Sequence, residues 1–562
     1  MKKDEEEDLS HAKTGSSRKI VLQITGMTCA HCARSVERII QSNPGIIKTQ
    51  VVFNERKGEV LFDTDKVSAE VIVQSINQSA SYQATIAANT EQSNCFDLII
   101  IGGGSAAFSA AIRAESLGIK TLMVNAGLPF GGTCVNVGCV PSKMLMRAGE
   151  TVFHAKHSNF SGILPKGAEI NFSKIKEQKN ALVQQLQQSK YMDVVKDFKH
   201  FTLKQGRATF VNATTIDVDG KEKFTAKKFI IATGASTRIP NIEGLDKIDF
   251  LTSATLFDLD VLPDSITILG AGYIALETAM TYNRFGCKIR IIEFTDRVLR
   301  SQMPDISAEI EMYLKNEGIE IFPNCRVLKF EQQNNAIIMH CKNAEGAFIK
   351  LIEKGKVLVA TGIEPNTRNM GLEAIGITLD DKRHIAVNSS MQTNLPNIYA
   401  VGDVANTPAF VYTAAYEGKV AVENAFTDKQ RIVDYTALPW VVFTDPQVAG
   451  VGLDEAQAAA ANIPYDVSKL TLDNVPRSLA ANDTRGFIKL IRNKTTDTLI
   501  GARIVAPEGG ELIELLSMAI KHKTTIKELA ENIYPYLTLG EGIKLAAIAF
   551  GTDVNKLSCC AS

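Results

Sequence analysis

No stretch of this chain is apolar for long enough to cross a membrane, which takes about 20 mostly apolar residues in a helix. The start also lacks a secretory leader: Met1-Lys2-Lys3-Asp4-Glu5-Glu6-Glu7-Asp8 is charged throughout, where a leader turns apolar. An excess of one charge is missing too. The 61 basic and 62 acidic residues leave a net charge of -1, which is no footprint for nucleic acid or an anionic membrane. Cysteine is sparse, ten in 562 residues, far below a secreted disulfide scaffold. These absences predict a cytoplasmic protein with neither membrane insertion nor a nucleic-acid partner.

A chain of this length is too long for one core, so several domains are expected. Six of the ten cysteines form three close pairs, Cys29/Cys32, Cys134/Cys139 and Cys559/Cys560. In a reducing compartment, close pairs read as metal or redox sites. Cys95, Cys287, Cys325 and Cys341 have no near neighbour in sequence and are read as packing residues.

The organising stretch is Gly132-Thr133-Cys134-Val135-Asn136-Val137-Gly138-Cys139-Val140-Pro141-Ser142-Lys143. A turn-rich segment opening a helix can bring the two cysteines close enough for a disulfide. The helix N-terminus favours a thiolate, because its backbone N–H groups favour negative charge. Two buried structural cysteines are the bland alternative, and two dinucleotide-type motifs in the same chain argue against it. The first is Gly102-Gly103-Gly104-Ser105-Ala106-Ala107, after the apolar strand Phe96 to Ile101. Its first Gly makes a tight turn, and Gly104 lets backbone approach a pyrophosphate. The second is Gly270-Ala271-Gly272-Tyr273-Ile274-Ala275, after Ser265 to Leu269. The strand following it ends in Glu293, whose carboxylate suits a ribose 2′-hydroxyl and repels a 2′-phosphate. Arg297, four residues on, could meet a phosphate instead. The nicotinamide preference, NADH or NADPH, is left open with a slight lean to NADH.

This stretch and these motifs resemble the flavin-dependent pyridine nucleotide-disulfide oxidoreductases. The resemblance implies FAD bound by Gly102, Gly104, Ala107, Gly132, Thr133, Lys143, Thr233, Gly234, Gly362, Gly402 and Asp403, with Gly270, Gly272 and Glu293 holding NADPH or NADH. It also implies a Lys143–Glu277 pair beside the flavin, and a Cys134–Cys139 disulfide in which Cys139 lies nearer the flavin and Cys134 exchanges with substrate. One departure is plain. The family has an acidic residue for the adenosine ribose where this chain has Asn125, which can still hydrogen-bond a hydroxyl.

Residues 19–87 alternate as βαββαβ around Gly26-Met27-Thr28-Cys29-Ala30-His31-Cys32. They resemble the heavy-metal-associated domain of copper chaperones and metal-transporting ATPases. Two loop thiolates suit a soft two-coordinate cation, whereas zinc would want four ligands. His31 is read as solvent-facing.

Near the C-terminus the frame reads Tyr536-Leu537-Thr538-Leu539-Gly540-Glu541. Glutathione and dihydrolipoamide enzymes carry a His where Tyr536 stands, acting across a dimer on a dithiol. A tyrosine with a pKa near 10 is a poor base at neutral pH. At this point, at Tyr191 on a helical stretch from Lys174 to Lys196, and at Cys559-Cys560, the chain resembles the family's mercury(II)-reducing members. Adjacent cysteines do not readily pair with each other and suit a thiol relay. The implied activity is reduction of thiol-bound Hg(II) to Hg(0) by a homodimer with a shared site, with a mercury-import protein as a further expected partner. A dihydrolipoamide dehydrogenase-like enzyme with a fused metal-binding domain is the alternative, and a plain copper carrier leaves both nucleotide motifs unexplained.

The expected fold is α/β: two Rossmann-like dinucleotide-binding domains and an α+β dimerisation domain, preceded by a ferredoxin-like βαββαβ domain. The expected boundaries are an acidic tail (1–18), the metal-binding domain (19–87), a linker (88–95), the FAD domain (96–234 and 360–436), the NAD(P) domain (235–359) and the dimerisation domain with its cysteine tail (437–562).

Overall fold

The computed structural model describes residues 17–79, 81–86 and 94–556. Most of the acidic tail, most of the linker, and Cys559 and Cys560 lie outside the described residues. The chain forms two units, Met1–Cys95 and Phe96–Ser562. No described helix is long and apolar enough to cross a membrane.

In the first unit, strands Ile46–Val52, Lys57–Asp63, Ser17–Thr25 and Gln83–Ile86 lie in that order in one antiparallel sheet. Alternation in Ser17–Thr25 sends Ile20, Leu22 and Ile24 to one buried face. Helices Ala30–Gln41 and Ala69–Asn77 cover that face with Val36, Ile40, Ile72 and Ile76.

The second unit opens with a seven-stranded sheet. Phe201–Gln205, Thr121–Asn125 and Cys95–Ile101 run parallel beside Glu222–Ile231, and Thr215–Val218 and Ala208–Asn212 extend the other side. Leu98 to Ile101 are all buried, as a strand covered on both faces requires. Cys95 departs from its expected packing role. It is exposed, because it begins the strand before that doubly covered part. Cys287, Cys325 and Cys341 are buried as expected.

The chain leaves this sheet through Glu222–Ile231 and returns to it at Ile398–Ala400, which pairs parallel with the same strand. Between them lies a five-stranded parallel sheet, in the order Phe250–Thr252, Lys356–Val359, Ser265–Leu269, Lys288–Ile292, Glu320–Phe322. A three-stranded antiparallel sheet, Arg326–Gln333, Ala336–Lys342 and Phe348–Glu353, is inserted between its strands Glu320–Phe322 and Lys356–Val359. The C-terminal part is a five-stranded antiparallel sheet running from Trp440–Val442 to Tyr465–Thr471, packed with helices Gly509–Lys521 and Glu541–Ile548.

Candidate active site

The cysteine stretch is two helices rather than one. Gly132–Val137 carries Cys134, and Cys139 is the first residue of Cys139–Lys156. Gly138 makes the break; a Cβ there would come within 2.8 Å of the Thr133 carbonyl oxygen. Both cysteines are thiols in this structure, and each lies within hydrogen-bonding reach of the other. Cys139 is pulled down to about 7, chiefly by the hydrogen bond from Cys134, with the Lys143 charge and its own helix-terminal N–H adding to it. Cys134 is driven the other way by donating that bond and by burial. The two shifts run in opposite directions, and they make Cys139 the more readily ionised thiol of the pair.

Lys143 lies one turn along the same helix. Its Nζ is 2.7 Å from Oε2 of Glu277 and 4.5 Å from the centre of the Phe443 ring. Oε1 of Glu277 accepts from the Phe443 N–H at 3.0 Å. Glu277 belongs to helix Tyr273–Phe285 of the second nucleotide motif, so three parts of the fold meet at one carboxylate.

Tyr191 lies close enough to the two cysteines to feel their charge. The expected continuous helix ends at Gln187, and Tyr191 sits in a π-turn, Gln188–Met192. Such turns turn side chains off the α-helical spacing. Its ring meets Phe108 edge-on at 4.9 Å, and its hydroxyl is 3.4 Å from Ser105 Oγ. Burial raises its pKa, and the charges of Cys134 and Cys139 raise it further.

The Gly-rich turn and the cysteine loop touch backbone to backbone. A Cβ on Gly132 would lie 2.6 Å from the Gly104 Cα, and the Gly131 N–H donates to the Gly103 carbonyl at 2.7 Å. Gly102, at φ +125°, would place a Cβ 2.2 Å from the Ala232 carbonyl oxygen. This is a cradle that side chains would fill. It opens at the N-terminus of helix Ser105–Ser116, where buried Ala107 keeps the helix close to the sheet. These residues fit a dinucleotide pyrophosphate. Thr133 is exposed at the edge of this loop.

Asp403 follows Gly402, whose φ is +71°. Burial pushes the Asp403 carboxyl upward. Behind it is Glu417, a fully buried residue absent from the sequence reading. Its Oε2 accepts from the Gly402 N–H at 2.6 Å and its Oε1 from the Tyr435 hydroxyl at 2.7 Å. Asn366 is a second residue that reading missed. It ties Thr233 and Gly234 across the crossover, with Thr233 Oγ1 donating to its carbonyl and its own Nδ2 returning to the Thr233 carbonyl, both at 2.9 Å. Its place after the repeated Thr-Gly of residues 361–362 was the available signal.

Asn125 is buried, and its Nδ2 donates to the Leu128 carbonyl at 2.9 Å. Gly103 leaves room for it; a Cβ there would lie 2.6 Å from the Asn125 side chain.

At the second motif, Gly270 has φ +99° and Gly272 has open space before it. Glu293 is buried and occupied. Oε2 accepts from the Ala271 N–H at 2.7 Å, and Oε1 accepts from the Thr295 N–H and hydroxyl, each at 2.8 Å. Arg297 donates to Asp296 and to the carbonyls of Arg300 and Gln302. Gly362, at φ +102°, accepts from the Arg238 N–H at 2.9 Å.

Tyr536 is half exposed in the C-terminal part, and Glu541 is buried beneath that segment, its carboxylate accepting from the Leu537 N–H at 3.3 Å.

In the first unit the Cys29 and Cys32 sulfurs are 3.6 Å apart at the start of helix Ala30–Gln41. Cys32 is lowered to about 6, first by the Thr28 hydroxyl and then by backbone N–H groups. Tyr82, which the sequence reading did not single out, hydrogen-bonds Cys32. His31 faces solvent. Among the described residues, no group of three or more His, Cys, Asp or Glu could hold a metal.

Comparison with known proteins adds the context. The pyridine nucleotide-disulphide oxidoreductase model matches residues 96–418, its dimerisation domain matches 438–547, and the heavy-metal-associated domain matches 21–83. The mercuric reductase of Lysinibacillus sphaericus is 38% identical over 97% of this chain and 100% of its own length. That of Staphylococcus aureus is 38% identical over 98% of this chain and 100% of its own. Among solved structures, the Cu(II) complex of the HOCl-induced flavoprotein disulfide reductase RclA from Escherichia coli superposes with a TM-score of 0.72 at 26% identity, covering 80% of this chain and 98% of that one.

Proposed function

The chain belongs to the pyridine nucleotide-disulphide oxidoreductases, in the branch of the mercuric reductases, and from that premise we propose that it reduces thiol-bound Hg(II) to volatile Hg(0) with NAD(P)H as donor. The balance is NAD(P)H + Hg(II) → NAD(P)+ + H+ + Hg(0). The observation that carries the proposal is the Cys134–Cys139 pair, brought together at the break between two short-linked helices one turn from Lys143. A soft cation prefers two such sulfurs to any oxygen or nitrogen set.

Bound FAD supplies the two-electron relay between nicotinamide and the cysteine-held metal. Gly102, Gly104 and Gly132 would cradle its pyrophosphate and Asp403 would hold its ribitol, with Glu417 fixing the turn through the Gly402 N–H. Lys143 would supply a positive charge beside the flavin ring, held in place by Glu277. Cys134 and Cys139 hold the metal during reduction. The thiols exchange ligands stepwise, so the cation stays sulfur-bound throughout. Tyr191 presents its hydroxyl to the bound metal.

Tyr536 and the Cys559–Cys560 tail reach the site from the partner protomer of a homodimer, the tail taking Hg(II) from small thiols and passing it inward. Cys29 and Cys32 act as an auxiliary acceptor that raises local metal concentration. A reducing cytoplasm, rich in small thiols, suits every step.

The test is nicotinamide oxidation by flavin-loaded protein, with Hg(II) in excess small thiol and, in parallel, lipoamide and glutathione disulfide. Hg(II)-dependent oxidation with release of volatile mercury is expected. Turnover with a disulfide alone would overturn the proposal and restore the dihydrolipoamide-type alternative.

A further inference from the structure

Cys325 and Cys341 are distant in sequence, yet the fold brings them together. In the three-stranded sheet, Val327 lies opposite Cys341. Cys325 precedes Val327 by two residues, so its side chain points to the same face, diagonal from Cys341. That face is the buried one, with Cys325 at 2% and Cys341 at 0% exposure. The two thiols lie within hydrogen-bonding reach of each other, in an apolar cluster with Leu245, Ile292, Val327 and Met339. Cys341 Sγ also donates to the Met339 carbonyl oxygen at 3.7 Å.

Burial keeps both thiols protonated at rest, Cys341 being pushed up to about 12. They are slow nucleophiles. Their place is nonetheless consequential. The Cys325 N–H donates to the Glu293 carbonyl oxygen at 2.9 Å, and the Asn324 N–H donates to that of Thr295 at 2.7 Å. The pair therefore backs directly onto the segment that carries the Glu293 carboxylate.

We propose that Cys325 and Cys341 are a second site for a thiophilic cation such as Hg(II), held as a two-coordinate bis-thiolate that bridges the two strands and is not reduced there. The exchange is redox-neutral: Hg(SR)2 + 2 Cys–SH → Cys–S–Hg–S–Cys + 2 RSH, each protein proton leaving on a departing thiol. Two sulfurs from neighbouring strands satisfy a soft cation without further ligands. Entry needs a local opening of the small sheet, so filling is slow compared with exchange at exposed thiols. The inference is independent of the reductase reading; it requires only that Hg(II) reaches the chain.

The experiment uses the full-length, flavin-loaded protein without NAD(P)H. The protein is incubated with Hg(II) in glutathione, then washed with excess glutathione to clear exposed thiols. It is unfolded in iodoacetamide, and each cysteine is mapped by mass spectrometry alongside a mercury assay. Cys325 and Cys341 are expected to lose alkylation together and slowly, with about one further Hg retained per chain. Cys287, a buried thiol outside the pair, is the control and stays alkylatable. Cys341→Ala is expected to abolish both the retained mercury and the protection of Cys325. Unchanged alkylation of the pair would overturn the proposal, and so would unchanged mercury retention in C341A. Protection without retained mercury would overturn it too, since it would mark a disulfide. The protection map in the unsubstituted chain decides the matter even if C341A does not fold.

Discussion

The Lys143 ammonium lies 2.7 Å from Oε2 of Glu277, and the same carboxylate reaches the Phe443 amide with its other oxygen. This contact joins the cysteine-bearing helix to the helix of the second Gly-rich turn and to the C-terminal part. It also sets the electrostatics of Cys139. The Lys143 charge lowers the thiol, and the Glu277 charge opposes it.

Lys143→Ala therefore leaves Cys139 with the Glu277 charge and without its cation. Cys139 now ionises near 7, so thiolate is present above that pH and lost below it. In the variant the midpoint for alkylation of reduced Cys139 is expected to rise by about one pH unit, which cuts the thiolate fraction near pH 7 about fivefold. Alkylation rates across pH, read at Cys139 by mass spectrometry, check this. An unmoved midpoint would mean that the Cys134 hydrogen bond and the helix-terminal N–H hold the thiolate without Lys143.

At the metal-binding unit the expectation concerns Thr28. Its hydroxyl lies 3.5 Å from Cys32 Sγ and is the largest cause of the lowering to about 6. Thr28→Val keeps the shape and removes the donor. Cys32 thiolate, now present above about pH 6, should then appear only at a pH higher by about one unit. The pH profile of Cys32 alkylation in the intact chain reports it. If the profile stays put, the backbone donors rather than the hydroxyl govern the site.

What was legible in the sequence was local. Gly102-Gly103-Gly104 and Gly270-Ala271-Gly272 announce themselves because a tight turn and a helix start need glycine within a few residues of an apolar strand. Cys29/Cys32 and Cys134/Cys139 were legible for the same reason. The Lys143–Glu277 contact was not in the spacing, and only a likeness of motifs supplied it. Glu417 reads as an ordinary helix residue, and its burial depends on where Gly402 lands. The Cys325–Cys341 pair depends on strand register, which no composition rule reveals. The π-turn at Tyr191 follows helical residues and has no proline or glycine to mark it.

At Asn125 the structure adds a second role to the one the sequence suggests. From sequence, Asn125 stands where the family has an acidic residue for the adenosine ribose. In the structure its Nδ2 fastens the loop through the Leu128 carbonyl at 2.9 Å. Asn125→Asp removes that donor and sets a carboxylate against a carbonyl oxygen. The loss is about 1 kcal/mol of loop stability, or about fivefold weaker FAD binding. Titration of the apoprotein by flavin fluorescence measures it. Tighter binding would show that the side chain serves the ribose first.

Glu293 bears on the choice between NADH and NADPH. Its carboxylate is nearly buried and takes three donors, from Ala271 and from both donors of Thr295. If the second Gly-rich turn takes the nicotinamide dinucleotide as proposed, that arrangement holds the carboxylate beside the ribose, on the side a 2′-phosphate would approach. The nearby cations are committed elsewhere: Arg297 to Asp296 and two backbone carbonyls, Arg300 to Asp296 at 3.1 Å. The protein is therefore expected to favour NADH in kcat/KM. Glu293→Gln removes the charge at nearly constant shape, and should raise kcat/KM for NADPH about tenfold, the equivalent of about 1.4 kcal/mol. NADH should lose ground in the same variant, because an amide can accept from only one side of the turn. Steady-state rates with both donors, in both proteins, settle the point. A wild-type preference for NADPH would mean that Arg297 leaves Asp296 to meet the phosphate, and that the Glu293 charge is spent on holding the turn rather than on choosing the nucleotide.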